Sequence, residues 1–244
     1  MRVLIACERS GVIRRAFAWR GHYVVSVDLA PAEDGARWGT LHGSIGQHYV
    51  GSIFDFLDMG KTGEMPGEWD LLIAHPPCQY LSSSGLHWNK RVPGRKEKTR
   101  AALSFALALL DLPVKRKAIE NPIGRFAAAA RERGERIQTI QPYQFGHDAS
   151  KATCLVLQNL PDLKPTKYIN PRLVCCGNVL ANDDKYSCPN CHGENRALPR
   201  WDNQTNSGQN KLGPSDTRAM DRARTYRGIA DAMADQWGCF KQEG

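Results

Sequence analysis

The chain has 244 residues, 41% of them hydrophobic, enough to bury one sizeable core and too many for a wholly disordered chain. A formal charge of +8 and an isoelectric point near 9.1 favour a polyanionic partner, nucleic acid foremost. No apolar run approaches the roughly 18–20 residues of a membrane span, and Met1-Arg2-Val3-Leu4-Ile5 is too short for a secretory signal, so a soluble cytoplasmic protein is expected.

In chain order, residues 3–6 read as a strand, Cys7-Glu8-Arg9-Ser10-Gly11 as a turn, and residues 12–20 as a helix closed by Gly21-His22. Residues 23–27 form a second β-branched run that ends at Asp28. Strand, loop, helix, strand and acid together open a doubly wound α/β nucleotide-binding fold. The glycine fingerprint of a pyrophosphate turn is missing, while Asp28 suits a ribose diol, whose two hydroxyls donate to one carboxylate. Residues 53–57 are expected to end a third unit and residues 69–74 to form the next strand, which runs into His75-Pro76-Pro77-Cys78-Gln79. Residues 89–100 hold six basic side chains against one acidic, and Pro93-Gly94 predicts a mobile loop there. A buried helix over 101–111 follows, then strands over 117–120 and 154–157, the first ending in Glu120-Asn121-Pro122. From residue 161 to 214 the texture turns to proline, asparagine, glycine and cysteine, an irregular module inserted into a main domain of residues 1–160 with 215–244. Tyr226, Ile229, Ala230, Met233, Ala234 and Trp237 then share one helix face.

Two strand-like runs thus end in a thiol and a carboxylate, and strand carboxyl ends are where open α/β sheets place chemistry. Pro76 and Pro77 stop the strand and stiffen the turn that presents Cys78, a candidate nucleophile in its thiolate form. Glu120, facing it, suits an acid that binds and protonates a substrate ring nitrogen. Cys175, Cys176, Cys188 and Cys191 suit a structural tetrahedral zinc, with His192 as a spare ligand because the first pair is adjacent. Such a staple compensates for the module's low apolar content. Lys90, Arg91, Arg95, Lys96 and Lys98 follow the Cys78 turn and are placed to meet phosphates, the plain alternative being a solvated surface.

Pro77-Cys78-Gln79 and Glu120-Asn121-Pro122 resemble the two signature motifs of DNA cytosine-5 methyltransferases. The whole chain resembles a compact, bacteriophage-borne branch of that family. The further marks are Cys7-Glu8 with Ser10-Gly11, Gln141-Pro142-Tyr143-Gln144-Phe145-Gly146-His147 with Lys151-Ala152-Thr153, and Thr225-Tyr226 through Trp237. The resemblance implies a Rossmann-like fold dependent on S-adenosyl-L-methionine (SAM) and a zinc-bearing insertion that touches DNA. Cys78 would attack C6 of a flipped cytosine, Glu120 would hold the N3 edge, and C5 would take the methyl group. Flipping is required because the target carbon is unreachable inside the stack. By position, Cys7, Glu8, Ser10, Gly11 and Pro76 would line the cofactor site and Asp28 would hold its ribose. Gly51-Ser52-Ile53 stands where the family has Gly-Asp-Ile, so Ser52 and Asp55 are assigned to the adenine. Lys151 would replace an arginine that supports the target base, and Gln79 would join the basic residues on DNA. Arg9, Arg14 and Arg15 admit a carboxylated SAM derivative and carboxymethyl transfer, although solvated helix charges are the favoured reading. The rival functions are an exocyclic-amino DNA methyltransferase, a non-enzymatic zinc protein that binds nucleic acid, and an enzyme acting on RNA.

Overall fold

The computed structural model describes residues 1–39, 45–61, 68–176, 178–180, 197–213 and 224–239. The chain divides into two compact units, Met1–Ile140 with Ala152–Lys164 and Ala223–Gly244, and Gln141–Lys151 with Pro165–Arg222.

The first unit is built on a seven-stranded sheet of β1 (Arg2–Ala6), β2 (Tyr23–Asp28), β3 (Gln47–Val50), β4 (Leu71–Ala74), β5 (Arg116–Pro122), β6 (Arg136–Ile140) and β7 (Thr153–Gln158). Their order is β3-β2-β1-β4-β5-β7-β6. The first five strands pair in parallel, and β7 runs antiparallel to both β5 and β6. The central strands are apolar throughout because both faces of the sheet are covered. Leu4, Ala6, Val25, Val27, Leu72 and Ala74 share a core with Ile53 and Phe56 of α2 (Ile53–Lys61). Leu109 of α4 (Arg95–Leu110) and Phe126 of α5 (Arg125–Glu132) complete that core. Val3, Ile5, Val24, Leu71 and Ile73, the alternate positions, are equally buried and point to the other side. There α1 (Val12–Ala18) packs on β1 and β2, and α6 (Arg227–Gly238) packs on α1. The periodic face of α6 is buried as its spacing predicts, and Trp237 donates its indole N–H to the Pro161 carbonyl at 3.1 Å. Arg20 at the end of α1 ties the two helices through Asp235 at 2.6 Å.

Strand order runs outward from β1 to β3 on one side and from β4 to β5 on the other. The reversal between β1 and β4 is a topological switch point, and its crevice lies beyond the carboxyl ends of those two strands. The segments that leave those ends are Cys7–Gly11 and His75–Cys78 in sequence, the two stretches already marked out for chemistry.

Two local expectations are corrected. Residues 53–57 do not close a strand unit but begin α2; the third strand is Gln47–Val50, and the Ser52 hydroxyl accepts the Phe54 amide at the start of the helix. Residues 89–100 are not a mobile loop. A short helix α3 (Ser83–Leu86) and a 3-10 turn over His87–Lys90 come first, and α4 begins at Arg95 with Gly94 as its N-cap at φ 73°. Pro93-Gly94 therefore starts a helix, and the Lys, Glu and Arg residues that follow are good helix formers. α5 and β6 carried no clear periodic signal and emerge only here.

The second unit holds a small antiparallel sheet of β8 (Arg172–Cys175), β9 (Asn178–Val179) and β10 (Leu198–Arg200), ordered β10-β8-β9. Its segment 141–151 carries a 3-10 turn, Pro142–Gln144, closed by a reciprocal capping box between Gln141 and Gln144. Tyr143 stacks on Trp201 with ring centroids 4.6 Å apart, and Ser150 and Asn203 exchange two hydrogen bonds. Among the described residues no helix is long and apolar enough to cross a membrane.

Candidate active site

β4 and β5 are neighbours in parallel register, with Ala74 opposite Ile119, so the next residues of each strand, His75 and Glu120, are level. His75 Nδ1 lies 3.0 Å from Glu120 Oε2. Thr153, which opens β7 on the far side of β5, donates its hydroxyl to Glu120 Oε1 at 3.1 Å. The buried Asn121 donates its side-chain amide to the Pro76 carbonyl at 2.9 Å. One residue of β5 thus fixes the carboxylate, and the next pins the turn that carries Cys78.

That turn is closed by the Leu81 and Ser82 amides, both donating to the Cys78 carbonyl at 3.0 Å, and it leaves Cys78 half-buried. Beyond it the two loops zip together. Ser82 and Gly124 form an antiparallel bridge, Ser83 N–H donates to the Ile123 carbonyl at 3.0 Å, and Arg125 N–H donates to the Leu81 carbonyl at 2.8 Å. Rigid strand ends and a shared backbone bridge thus hold the Cys78 turn and the Glu120 strand end in a fixed relation.

Arg95 was expected on DNA phosphate, but its guanidinium is committed to this loop. It donates to the Gln79 carbonyl at 3.0 Å and the Gly85 carbonyl at 3.4 Å, and lies over the Tyr80 ring at 5.0 Å. Thr99 of α4 adds a bond to the Tyr80 carbonyl at 3.2 Å. Gln79, Lys90, Arg91, Lys96 and Lys98 are exposed, with Arg91 stacked over the half-exposed Trp88 at 5.7 Å.

On the β1 side Cys7 holds φ 59°, a conformation that favours glycine, and its amide donates to the Val27 carbonyl at 2.7 Å. Burial, helped by the Asp28 charge, pushes its thiol up to about 12. Glu8 was assigned to the cofactor, yet it is buried and spent on the fold. Its carboxylate takes the first free amides of α1, Ile13 N–H at 2.6 Å and Arg14 N–H at 3.2 Å. Burial raises its carboxyl above the usual range, against the opposing pull of His75, the two amides and the Arg14 charge. Ser10 Oγ accepts the Val12 amide at 3.4 Å, and Gly11 precedes the helix at φ 66°. Asp28, partly exposed at the end of β2, uses Oδ1 for the Ala30 amide at 2.9 Å. Asp55 is exposed on the first turn of α2.

Arg14 is fully buried, bonded to Ser26 at 2.9 Å, to both oxygens of Asp34 at 2.6 and 2.8 Å, and to the Ile45 carbonyl. Arg15 also pairs with Asp34, and Arg9 lies 3.9 Å from Glu33. Burial works against the Asp34 charge, but the two arginines outweigh it and hold the carboxyl below its ordinary value.

Lys151 belongs to the second unit, where its backbone amide donates to Gln141 at 2.9 Å. Cys175 is buried at the end of β8 and Cys176 is exposed, with sulfurs 3.9 Å apart. Cys188, Cys191 and His192 lie outside the described residues, among which no group of three potential metal ligands occurs.

Three residues of the site had no assigned role in the sequence: His75, Asn121 and Thr153. The available signal was a polar residue beside each motif, in His-Pro-Pro, in Glu-Asn-Pro and at the start of an otherwise apolar strand. Only the β4–β5–β7 register joins them.

No protein-family model and no curated protein matches the chain. Among solved structures it resembles an Escherichia coli chain described as a DNA modification methyltransferase encoded within a prophage, at 14% identity and a TM-score of 0.44, over 69% of this chain and 52% of that one. The methyltransferase EhMeth of Entamoeba histolytica gives 16% identity and a TM-score of 0.43, over 78% and 63% respectively. The S. pombe Dnmt2 methyltransferase gives 18% and 0.37, over 66% and 51%. The chain therefore spans between about half and two thirds of the length of these methyltransferases.

Proposed function

We propose that the chain is a SAM-dependent DNA methyltransferase that modifies C5 of an extruded cytosine. The observation that carries this reading is the pairing of the Cys78 turn and Glu120 at adjacent strand ends, joined by the Asn121–Pro76 bond and the Ser82–Gly124 bridge.

In this mechanism the Cys78 thiolate bonds to C6 of the base, and the C5–C6 π pair is released toward C5. Glu120, steadied by Thr153 and His75, meets the N3 edge and offsets charge developing in the ring. When bound, SAM supplies an electrophilic methyl group. Once C5 is methylated, loss of its proton and departure of the Cys78 sulfur restore the aromatic ring. The strap from Asn121 keeps the thiol at fixed height over the base throughout.

The residues at the switch point fit such a cofactor. Asp28 keeps Oδ2 without a partner among the described residues and suits the ribose diol. Asp28 and Glu120 stand at strand ends beside the crevice, and their carboxylates suit a sulfonium and disfavour a pyrophosphate. Plain SAM is preferred to a carboxylated derivative because Arg14 and Arg15 are already bound to Asp34. The exposed Lys90, Arg91, Lys96 and Lys98 would contact phosphates, and Lys151 would support the base. Zinc on Cys175, Cys176, Cys188 and Cys191 of the second unit is part of the proposal; of these, Cys175 and Cys176 lie among the described residues, with sulfurs 3.9 Å apart. Amino-group methylation is disfavoured because Tyr80, the nearest aromatic, lies under Arg95 and is not free to clamp a base.

Mass spectrometry of nucleosides from DNA of cells expressing the protein tests the reading. The expected product is 5-methylcytosine, absent with Cys78→Ser, and a covalent complex of the wild type with DNA bearing 5-fluorocytosine. A modified exocyclic amine that survives Cys78→Ser would overturn it.

A further inference from the structure

His75 has no role in the mechanism beyond steadying Glu120, yet its side chain is only 10% exposed and half of its hydrogen-bonding capacity is unused. Nε2 is buried and without a hydrogen-bond partner among the described residues. A buried, unpaired ring nitrogen is costly, and native proteins rarely keep one without a use.

Its surroundings indicate the use. His75 ends β4, the strand between β1 and β5, and its backbone amide donates to the Ala6 carbonyl of β1 at 3.0 Å. The ring thus sits between Glu120, at the end of β5, and the end of β1, where the turn carrying Glu8 begins. In the tautomer whose Nδ1 donates to Glu120, Nε2 carries a lone pair and can only accept. That lone pair is a buried acceptor with no donor among the described residues, and it suits a cationic N–H donor.

We infer that His75 Nε2 accepts a hydrogen bond from the α-ammonium of the amino-acid arm of a SAM-type cofactor, so that one imidazole joins the cofactor crevice to the base-binding acid. This rests on the cofactor reading above. With both ring nitrogens engaged, occupancy of the crevice locks the ring and with it Glu120. The cofactor then prepares the base site before the base arrives.

Two substitutions separate the two edges of the ring. In His75→Asn the amide nitrogen can stand in for Nδ1 and keep Glu120, while nothing reaches the position of Nε2. In His75→Gln the longer amide reaches the Nε2 position and the Glu120 contact is given up. The probes are S-adenosylhomocysteine and its deamino analogue, titrated calorimetrically into the full chain, with melting temperature as the check on folding. We expect His75→Asn to weaken S-adenosylhomocysteine about tenfold or more, the size of a hydrogen bond to a charged group. His75→Gln should stay within about threefold of wild type, and the deamino analogue should bind all three proteins alike. Equal losses in both variants, an equal loss for the deamino analogue, or no loss in His75→Asn would refute the assignment. If wild type binds neither probe, the cofactor reading itself fails, which is a distinguishable outcome.

Discussion

Gly124→Ala should separate the two halves of the active site without touching either reacting group. Gly124 has φ 167°, an extended conformation open to any residue, so the substitution carries no dihedral penalty. Space is the obstacle: an added Cβ would lie 2.0 Å from the Leu81 carbonyl oxygen and 2.9 Å from the Ser83 nitrogen, both backbone atoms of the loop beyond Cys78. The loops must part by about 1 Å or more, since repulsion is steep inside contact distance. The Ser83–Ile123 and Arg125–Leu81 bonds are then stretched or lost. Two backbone hydrogen bonds at about 1 kcal/mol each, with about 1–3 kcal/mol for overpacking, give a destabilisation of about 3–5 kcal/mol. For a chain of this size that lowers the melting temperature by about 6–20 °C. Calorimetry reads the stability, and 5-fluorocytosine trapping at a temperature where the variant is folded reads the alignment of Cys78. Gly213→Ala, where nothing stands within 4 Å of an added Cβ, is the control and should change neither. A Gly124→Ala protein that melts within 1–2 °C of wild type, roughly the scatter of a neutral substitution, and traps DNA at the wild-type rate would refute the zipped-loop account.

Four further outcomes follow from the same geometry. Asp34→Asn leaves the buried Arg14 unpaired and should cost about 2 kcal/mol near neutral pH, less than a fully buried pair because Asp34 keeps some solvent. The Asp34 carboxyl is depressed below 3.8, so its contribution is complete above that value and lost as pH falls through its lower native value. The gap between wild type and variant in denaturant melts should therefore close in acid. Cys7, with its thiol near 12, should resist iodoacetamide at pH 8 in the native protein, where only about one molecule in ten thousand is thiolate, and react once denatured; peptide mass mapping distinguishes the two states. Arg95→Ala should slow trapping about tenfold by loosening the Gln79 and Gly85 carbonyls. Lys98→Ala should instead reduce the salt dependence of DNA binding by about one unit of slope and leave trapping at saturating DNA unchanged.

The legible parts of this sequence were those whose signal is local. β1 and β4 are buried on both faces and read as apolar runs, β2 is interrupted only by the buried Ser26, and Pro76-Pro77 marks where β4 stops. The face of α6 was visible because Ile229, Ala230, Met233 and Trp237 repeat at helical spacing. The illegible parts depend on register or direction. The bond between His75 and Glu120 spans 45 residues and exists because Ala74 pairs with Ile119, which no local pattern encodes. Glu8 reads as a ligand-binding acid beside a turn, and only the direction of α1 reveals it as a helix cap. Arg95 looks like one more charge in a basic run, while its neighbours on the same helix turn face solvent. β6 is partly exposed and short, and the adjacent polar residues Gln138 and Thr139 break its alternation, so its pattern is too weak to register as a strand.

The capping of α1 by Glu8 has a consequence for how a ligand is received. In folds where phosphate oxygens satisfy the first amides of this helix, the empty protein leaves those groups to water and the loop is completed by its guest. Here the chain supplies the oxygens from the Glu8 side chain, so the wall of the crevice is finished before anything enters. Ligand association should then be close to rigid docking, with little ordering entropy charged against affinity at this wall and a heat-capacity change set by the apolar area covered.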